Sequence, residues 1–200
     1  MCERLLQCTK KEDPLIKPYS KIAIFGNAGS GKTTLALQLK DALNLPLYHL
    51  DQYYWLPNWE RGNLEEFKVV HNDLCENDIW IMEGSYYKLL PKRILHADVV
   101  IFLDMPRYLC VWHILKRAVL HFDKVIPGNP AQCKQHLFNF KFLEFLRWVW
   151  NFNNRNRPMI NAILEEFKDT KQIYVLRSPL EIESFVEKLL VNVQSVNKFS

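Results

Sequence analysis

Apolar residues along this chain gather in short continuous runs, not in the alternation of a half-exposed sheet. Lys21-Ile-Ala-Ile-Phe25, Leu47 to Leu50, Ile79 to Met82, Val99 to Leu103 and Ile173 to Leu176 are the clearest of these. Runs of this length predict strands buried on both faces. Between them the period lengthens. Leu35, Leu39, Ala42 and Leu43 share one helical face after the first run, and further helices are predicted over roughly 64–76, 87–96, 107–121, 136–166 and 179–192. Five buried strands alternating with helices imply an α/β domain with a parallel sheet and right-handed crossovers. Residues 1–20 are mixed in charge, carry Pro14 and Pro18 and show no period. They read as an N-terminal extension ahead of one domain over residues 21–200.

About 69 residues separate the fourth run from the fifth, far more than the dozen or so that one crossover requires. The surplus is an insertion. It holds a breaker-rich loop, Asp123 to Pro130 with Pro127-Gly128-Asn129-Pro130, and the aromatic run from Leu137 to Trp150. That run is apolar on nearly every face, which predicts a helix packed on both sides. Charge is uneven as well: Arg107 to Arg157 contains nine basic residues against Asp123 and Glu144, leaving the rest of the chain net negative.

The whole-chain charge of +4 is too mild to demand a nucleic-acid or membrane partner. With 48% hydrophobic and 24% charged residues, the composition is that of an ordinary globular domain. Five scattered cysteines without a CxxC pair argue against a disulfide framework or a zinc site. No leader-like apolar segment opens the chain, and no uninterrupted apolar window reaches about 18 residues. A cytoplasmic protein with no membrane partner is the expectation.

Glycine sharpens the picture. The chain has only six, and Gly26, Gly29 and Gly31 fall within six positions. Gly26-Asn27-Ala28-Gly29-Ser30-Gly31-Lys32-Thr33 matches G-x4-G-K-[ST] in full, after a strand and opening a helix. Such glycines let the backbone curl with its amides inward, so that N–H donors and the positive helix end meet phosphates. Lys32 is placed to reach the β and γ phosphates, Thr33 to ligate Mg²⁺ through its hydroxyl, and Thr34 to extend the cradle.

Parallel sheets bind ligands beyond the carboxyl ends of their strands, and three of those ends are acidic. Asp51 follows the second strand, Glu83 the third and Asp104 the fourth. Each could hold Mg²⁺ directly or through water, or take a proton from an attacking hydroxyl. Asp104, with Pro106 and Arg107 behind it, also suits a helix start. After Asp51 comes Gln52-Tyr-Tyr-Trp-Leu-Pro-Asn-Trp59, whose rings could stack on an acceptor or cap the core.

These residues together resemble the nucleoside-monophosphate-kinase-like P-loop proteins, and within them the bacterial DNA topology modulation proteins. The marks are the phosphate loop, His49-Leu-Asp-Gln-Tyr-Tyr-Trp-Leu-Pro-Asn-Trp59, Trp80-Ile-Met-Glu-Gly-Ser-Tyr86, Ile101-Phe-Leu-Asp-Met-Pro-Arg107 and Phe145-Leu-Arg-Trp-Val-Trp-Asn-Phe152. The resemblance implies a three-layer P-loop fold, five parallel strands in the order 2-3-1-4-5, ATP at the loop, and a lid over about residues 117–157. It further implies that Arg117, with Arg147, Arg155 or Arg157, clamps the transferring phosphoryl group, and that Arg177-Ser178-Pro179 lies against adenine. The chain departs from the family pattern at Glu83 and Ser85, where aspartate and asparagine are usual, and in a lid loop whose only cation is Lys124. Adenylate-kinase-type enzymes also carry an arginine soon after the third strand, where this chain reads Gly84-Ser85-Tyr86-Tyr87-Lys88.

The expectation is an ATP- and Mg²⁺-dependent phosphotransferase, monomeric or homodimeric, acting on a small nucleotide- or nucleoside-related acceptor. Whether a hydroxyl or a phosphate accepts is open. The alternative is a nucleic-acid-binding or regulatory ATPase, drawn from the basic block and the family label. A nucleotide-binding core that only stabilises an assembly is a third reading, one that the intact Lys32 and Thr33 make less natural.

Overall fold

The computed structural model describes residues 19–122, 124–130, 132–134 and 140–197, with side chains through Val191. The extension over 1–18, and residues 136–139 of the fourth helical stretch, lie outside it. Strand β1 (Lys21–Gly26) leads through the glycine loop into α1 (Lys32–Leu43), and β2 (Leu47–His49) into the single turn α2 (Asp51–Tyr54). A two-stranded ribbon, β3 (Trp55–Leu56) and β4 (Glu60–Arg61), precedes α3 (Leu64–Glu76) and β5 (Trp80–Glu83). Helix α4 (Leu90–His96), β6 (Val99–Leu103) and α5 (Arg107–Leu120) follow. The chain ends in α6 (Phe140–Trp150), α7 (Phe152–Arg155), α8 (Arg157–Phe167), β7 (Gln172–Leu176) and α9 (Pro179–Asn197).

The main sheet is parallel throughout, in the order β2-β5-β1-β6-β7. Counted as first to fifth, its strands lie 2-3-1-4-5, as the resemblance implies. Adjacent residues on each strand serve opposite layers. Ala23, Phe25, Trp80, Met82, Val100 and Phe102 face one side with Phe67, Ile94 and Ile160 of α3, α4 and α8. Ile22, Ile24, Ile81, Val99, Ile101 and Leu103 face the other with Leu35, Leu39, Phe185 and Leu189 of α1 and α9. Phe25 and Phe102 stack at 5.2 Å between centroids, and burying each such side chain stabilises the fold by about 1.5–3 kcal/mol.

Two expectations require correction. The stretch predicted as one helix over 136–166 is three helices, broken at Asn151 and Asn156. Pro158 stands in the first turn of the last of them, where its missing N–H costs nothing. Nor is the aromatic helix packed on both sides: α6 buries Val149 fully, while Phe140, Leu143 and Trp150 are 75%, 61% and 44% exposed. Its inner face joins Cys110 and Ile114 of α5 in a third, smaller cluster.

Helix α3 carries a pH-dependent element. Asn63 caps it, its side chain accepting from the amides of Glu65 and Glu66, and this orients Phe67, His71 and Cys75 inward. His71 is fully buried, and burial, with the nearby Arg93 charge second, lowers its pKa to about 4. The unfolded chain therefore binds a proton near pH 6.5 that the folded chain refuses until about pH 4. Stability is expected to be full above pH 6.5 and to fall by up to about 3 kcal/mol as pH drops towards 4. Urea unfolding across that window should show a flatter profile for His71→Gln than for the parent chain.

Candidate functional site

The glycine loop delivers an open helix end to the carboxyl edge of the sheet. Helix α1 has no side-chain cap, so its first amides stay free for an anion. The loop is held from outside itself. Ser85 Oγ and Tyr87 OH both donate to Gly26 O, at 2.9 and 2.8 Å. His113 Nδ1 donates to Gly29 O at 2.9 Å, and Asn27 Nδ2 to Val149 O at 2.9 Å. Asn27 and Ser30 are buried, and Ala28 packs against the α5–α6 cluster. Lys32 Nζ donates to Asn27 O at 2.8 Å.

Beside the loop, Glu83 gathers the neighbouring strand ends. Its Oε1 accepts from Thr33 Oγ1 at 3.1 Å and shares a 2.8 Å hydrogen bond with His49 Nδ1. An ionised carboxylate only accepts, so Nδ1 carries that proton. Burial alone would raise the pKa of Glu83; the His49 hydrogen bond and the Lys32 charge outweigh it and hold the carboxyl below its usual value. Burial lowers the pKa of Lys32, against the pull of Glu83 and Asp51.

Asp51 sits one strand away, in the same field. Tyr86 OH donates to its Oδ1 at 2.7 Å, and the Trp55 side chain supplies a second hydrogen bond. Burial first, and the Glu83 charge second, push its carboxyl up. Arg117, reaching in from α5, interacts with both Asp51 and Lys32. Its Nε is buried with no hydrogen-bond partner among the described residues.

The structure therefore brings together Gly26 to Thr33, Asp51, Glu83 and Arg117, and it sets the remaining expected residues elsewhere. Thr34, next along α1, is exposed. Asp104 is engaged by Arg157 Nη2 at 2.6 Å and Arg177 Nε at 3.7 Å. Arg155 lies over the Trp148 ring at 4.5 Å and donates to Trp148 O. Arg147 is exposed and pairs with no carboxylate among the described residues. Ser178 and Pro179 open α9, where the Ser178 hydroxyl accepts from Glu181 N at 3.2 Å, an N-cap arrangement.

Three contributors were not among the expected site residues. His49, Ser85 and Tyr87 support the site through the hydrogen bonds given above, across separations that no local pattern reports. A fourth feature is the insertion loop. A methyl group on Gly128 would lie 2.9 Å from Thr33 Cγ2 and 3.2 Å from His49 Nδ1, so this loop rests directly on the site. Its neighbour Asn129 has a buried Nδ2 with no partner among the described residues. Farther along, Cys133 Sγ donates to Leu56 O at 3.2 Å, and Trp59 Nε1 to Lys134 O at 2.8 Å. Loop and aromatic ribbon are thus fastened together.

Oxygen donors from Thr33 and Glu83 suit Mg²⁺, which takes one or two protein oxygens and completes its shell with phosphates and water. Among the described residues no group of three or more His, Cys, Asp or Glu side chains could enclose a metal by itself.

No protein-family model and no curated protein matches the chain. Solved structures do match. Shikimate kinase from Acinetobacter baumannii, determined in complex with shikimate, superposes with a TM-score of 0.53 at 16% identity, over 90% of this chain and 96% of that one. Shikimate kinase from Bacteroides thetaiotaomicron gives 0.52 at 16%, over 88% and 99%. A sugar kinase from a Janibacter species gives 0.50 at 17%, over 88% and 94%. The fold is that of the P-loop kinases.

Gly29 offers a test of the loop geometry. Its φ is +76°, and a Cβ there would lie 2.4 Å from Cys110 O. Gly29→Ala is expected to lower stability by about 2–4 kcal/mol and to weaken ATP binding on the order of tenfold or more by misaligning the amides. Denaturant unfolding and calorimetric titration with ATP measure the two effects.

Proposed function

We propose that the protein is an ATP-dependent phosphotransferase that moves the γ-phosphoryl group to a small acceptor bound beside Asp51. The observation that carries this reading is the convergence of Lys32, Thr33, Glu83, Asp51 and Arg117 at one open helix end. In the proposed mechanism the loop amides and Lys32 hold the β and γ phosphates, and Arg117 neutralises charge spread over the transferring group. Thr33 and Glu83 would hold Mg²⁺, which when bound bridges and neutralises the phosphate oxygens. Asp51 lines the acceptor side. Asp104 lies with Arg157 and Arg177 at the end of β6, where Ser178 and Pro179 would border the adenine.

The alternative, a nucleic-acid-binding or regulatory ATPase, loses its main support. Four of the nine basic residues are otherwise engaged: Arg117 turns inward, Arg157 pairs with Asp104, and Arg107 and Arg155 cover Trp150 and Trp148 at 4.5 Å each. Among the described residues, no helix is long and apolar enough to cross a membrane.

Phosphate transfer from ATP to a panel of small acceptors is the direct test. Lys32→Ala is expected to reduce kcat/KM by about 10²–10³, and Glu83→Gln to weaken the Mg²⁺ dependence. Transfer to no acceptor, or full activity in Lys32→Ala, would overturn the proposal. Titration with duplex DNA at two salt concentrations is expected to show none of the steep salt-dependent binding that backbone contacts produce.

A further inference from the structure

Resting on the kinase reading above, we infer that the acceptor is an uncharged hydroxyl compound carrying a flat ring, of the nucleoside class, and not a phosphorylated one. Asp51 is the first reason. Its carboxylate receives Tyr86 OH and the Trp55 side chain, which fix it in place and leave acceptor capacity for a further donor. A substrate hydroxyl supplies such a donor; an ionised phosphate does not.

Charge is the second reason. An attacking phosphate would have to sit next to Asp51 and within the field of Glu83, the two carboxylates that already act on each other. Repulsion between unit charges about 4 Å apart weakens binding on the order of a thousandfold near a protein surface. The cations that act on Asp51 are already committed. Lys32 and Arg117 face the transferring group. Arg93, on the helix after β5, is fully buried and turned inward, with Nη1 donating to Gly84 O at 2.9 Å. Arg61, cross-strand from Trp55 on the ribbon, is exposed and is not among the charges that act most strongly on Asp51.

The third reason is the wall. Trp55 stands edge-on to Tyr54 at 5.3 Å and to Trp59 at 5.8 Å, and Tyr54 to Tyr86 at 5.3 Å. These four rings are only partly buried, so they keep accessible π surface beside Asp51. The insertion loop resting on Thr33 adds Asn129, whose buried Nδ2, without a partner among the described residues, suits a ring nitrogen or carbonyl. In the step itself the acceptor O–H proton passes to Asp51 and the acceptor oxygen bonds to the γ-phosphorus. The bond from that phosphorus to the β–γ bridging oxygen breaks, its electron pair leaving with ADP.

The test compares adenosine, guanosine, cytidine and thymidine with their monophosphates and with glycerol, using ATP and the full-length chain, and identifies products by mass. At least one nucleoside is expected to exceed its monophosphate by tenfold or more in kcat/KM, with the charge penalty above as the upper end of the range. Trp55→Ala removes a hydrogen bond that fixes Asp51 and so lowers kcat; it is also expected to raise the nucleoside KM by about five- to a hundredfold, the range of a lost base–aromatic stack, with the KM for ATP nearly unchanged. Trp55→Phe, which keeps a ring, should recover most of that loss even if the alanine variant folds poorly. Asp51→Asn should lower kcat by about 10²–10⁴ while ATP still binds. Preference for monophosphates would overturn this inference and leave the kinase reading intact; turnover of glycerol alone would do the same. Transfer to none of these or any other acceptor, with ATP bound, would overturn both.

Discussion

Everything at the active edge depends on one buried carboxylate being kept charged. Glu83 ends β5, between β2 and β1 in the sheet, and is almost without solvent. A lone ion there would be prohibitively costly. His49 from β2, Thr33 from α1 and the Lys32 charge make it tolerable. Because the compensation comes from three separate elements, the charge acts as a registration device: the strand ends and the helix start must meet for Glu83 to remain ionised. Parallel pairing makes that meeting possible, since it brings the carboxyl ends of β2, β5 and β1 to the same edge.

Local features of the chain were legible to the extent that their physics is local. The phosphate loop is a backbone conformation encoded by adjacent residues, and the buried strands reveal themselves by unbroken apolar runs. Gathering Asp51 and Glu83 at one edge followed from the parallel sheet. Long-range pairing was not legible. Asp104 has the same strand-end position as Glu83, yet Arg157 and Arg177 claim it, and neither partner is marked by spacing. Arg93, a cation on a short helix, lies in the core. Gly62 had no role in sequence; its amide donates to Tyr54 O at 3.0 Å and closes the ribbon.

Apolar patterning misled where a segment is amphipathic in three dimensions but nearly uniform in sequence. In α6 the inner face contacts α5, while Phe140 and Leu143 remain outside. The excess of basic residues is likewise put to mixed use. A sum over residues 107–157 suggests a charged surface, but the guanidinium groups of Arg107 and Arg155 lie on tryptophan faces, where they serve packing as much as charge.

The insertion also explains why the ribbon holds an unfavourable backbone. Asn58 and Trp59 have φ of 59° and 62°, a left-handed conformation that is tolerable for asparagine and uncommon for a bulky aromatic. Such strain persists only where surrounding contacts over-determine it. Those contacts come from the insertion loop: Asn58 N donates to Gln132 O at 3.4 Å, Trp59 Nε1 to Lys134 O and Cys133 Sγ to Leu56 O. The same loop carries Gly128 onto Thr33 and His49. One continuous segment therefore touches the residues at the phosphate end of the site and fixes the aromatic residues at its other end. The two ends are coupled by covalent continuity over a few residues, so whatever displaces the loop at Thr33 must also load the strained turn at Trp59.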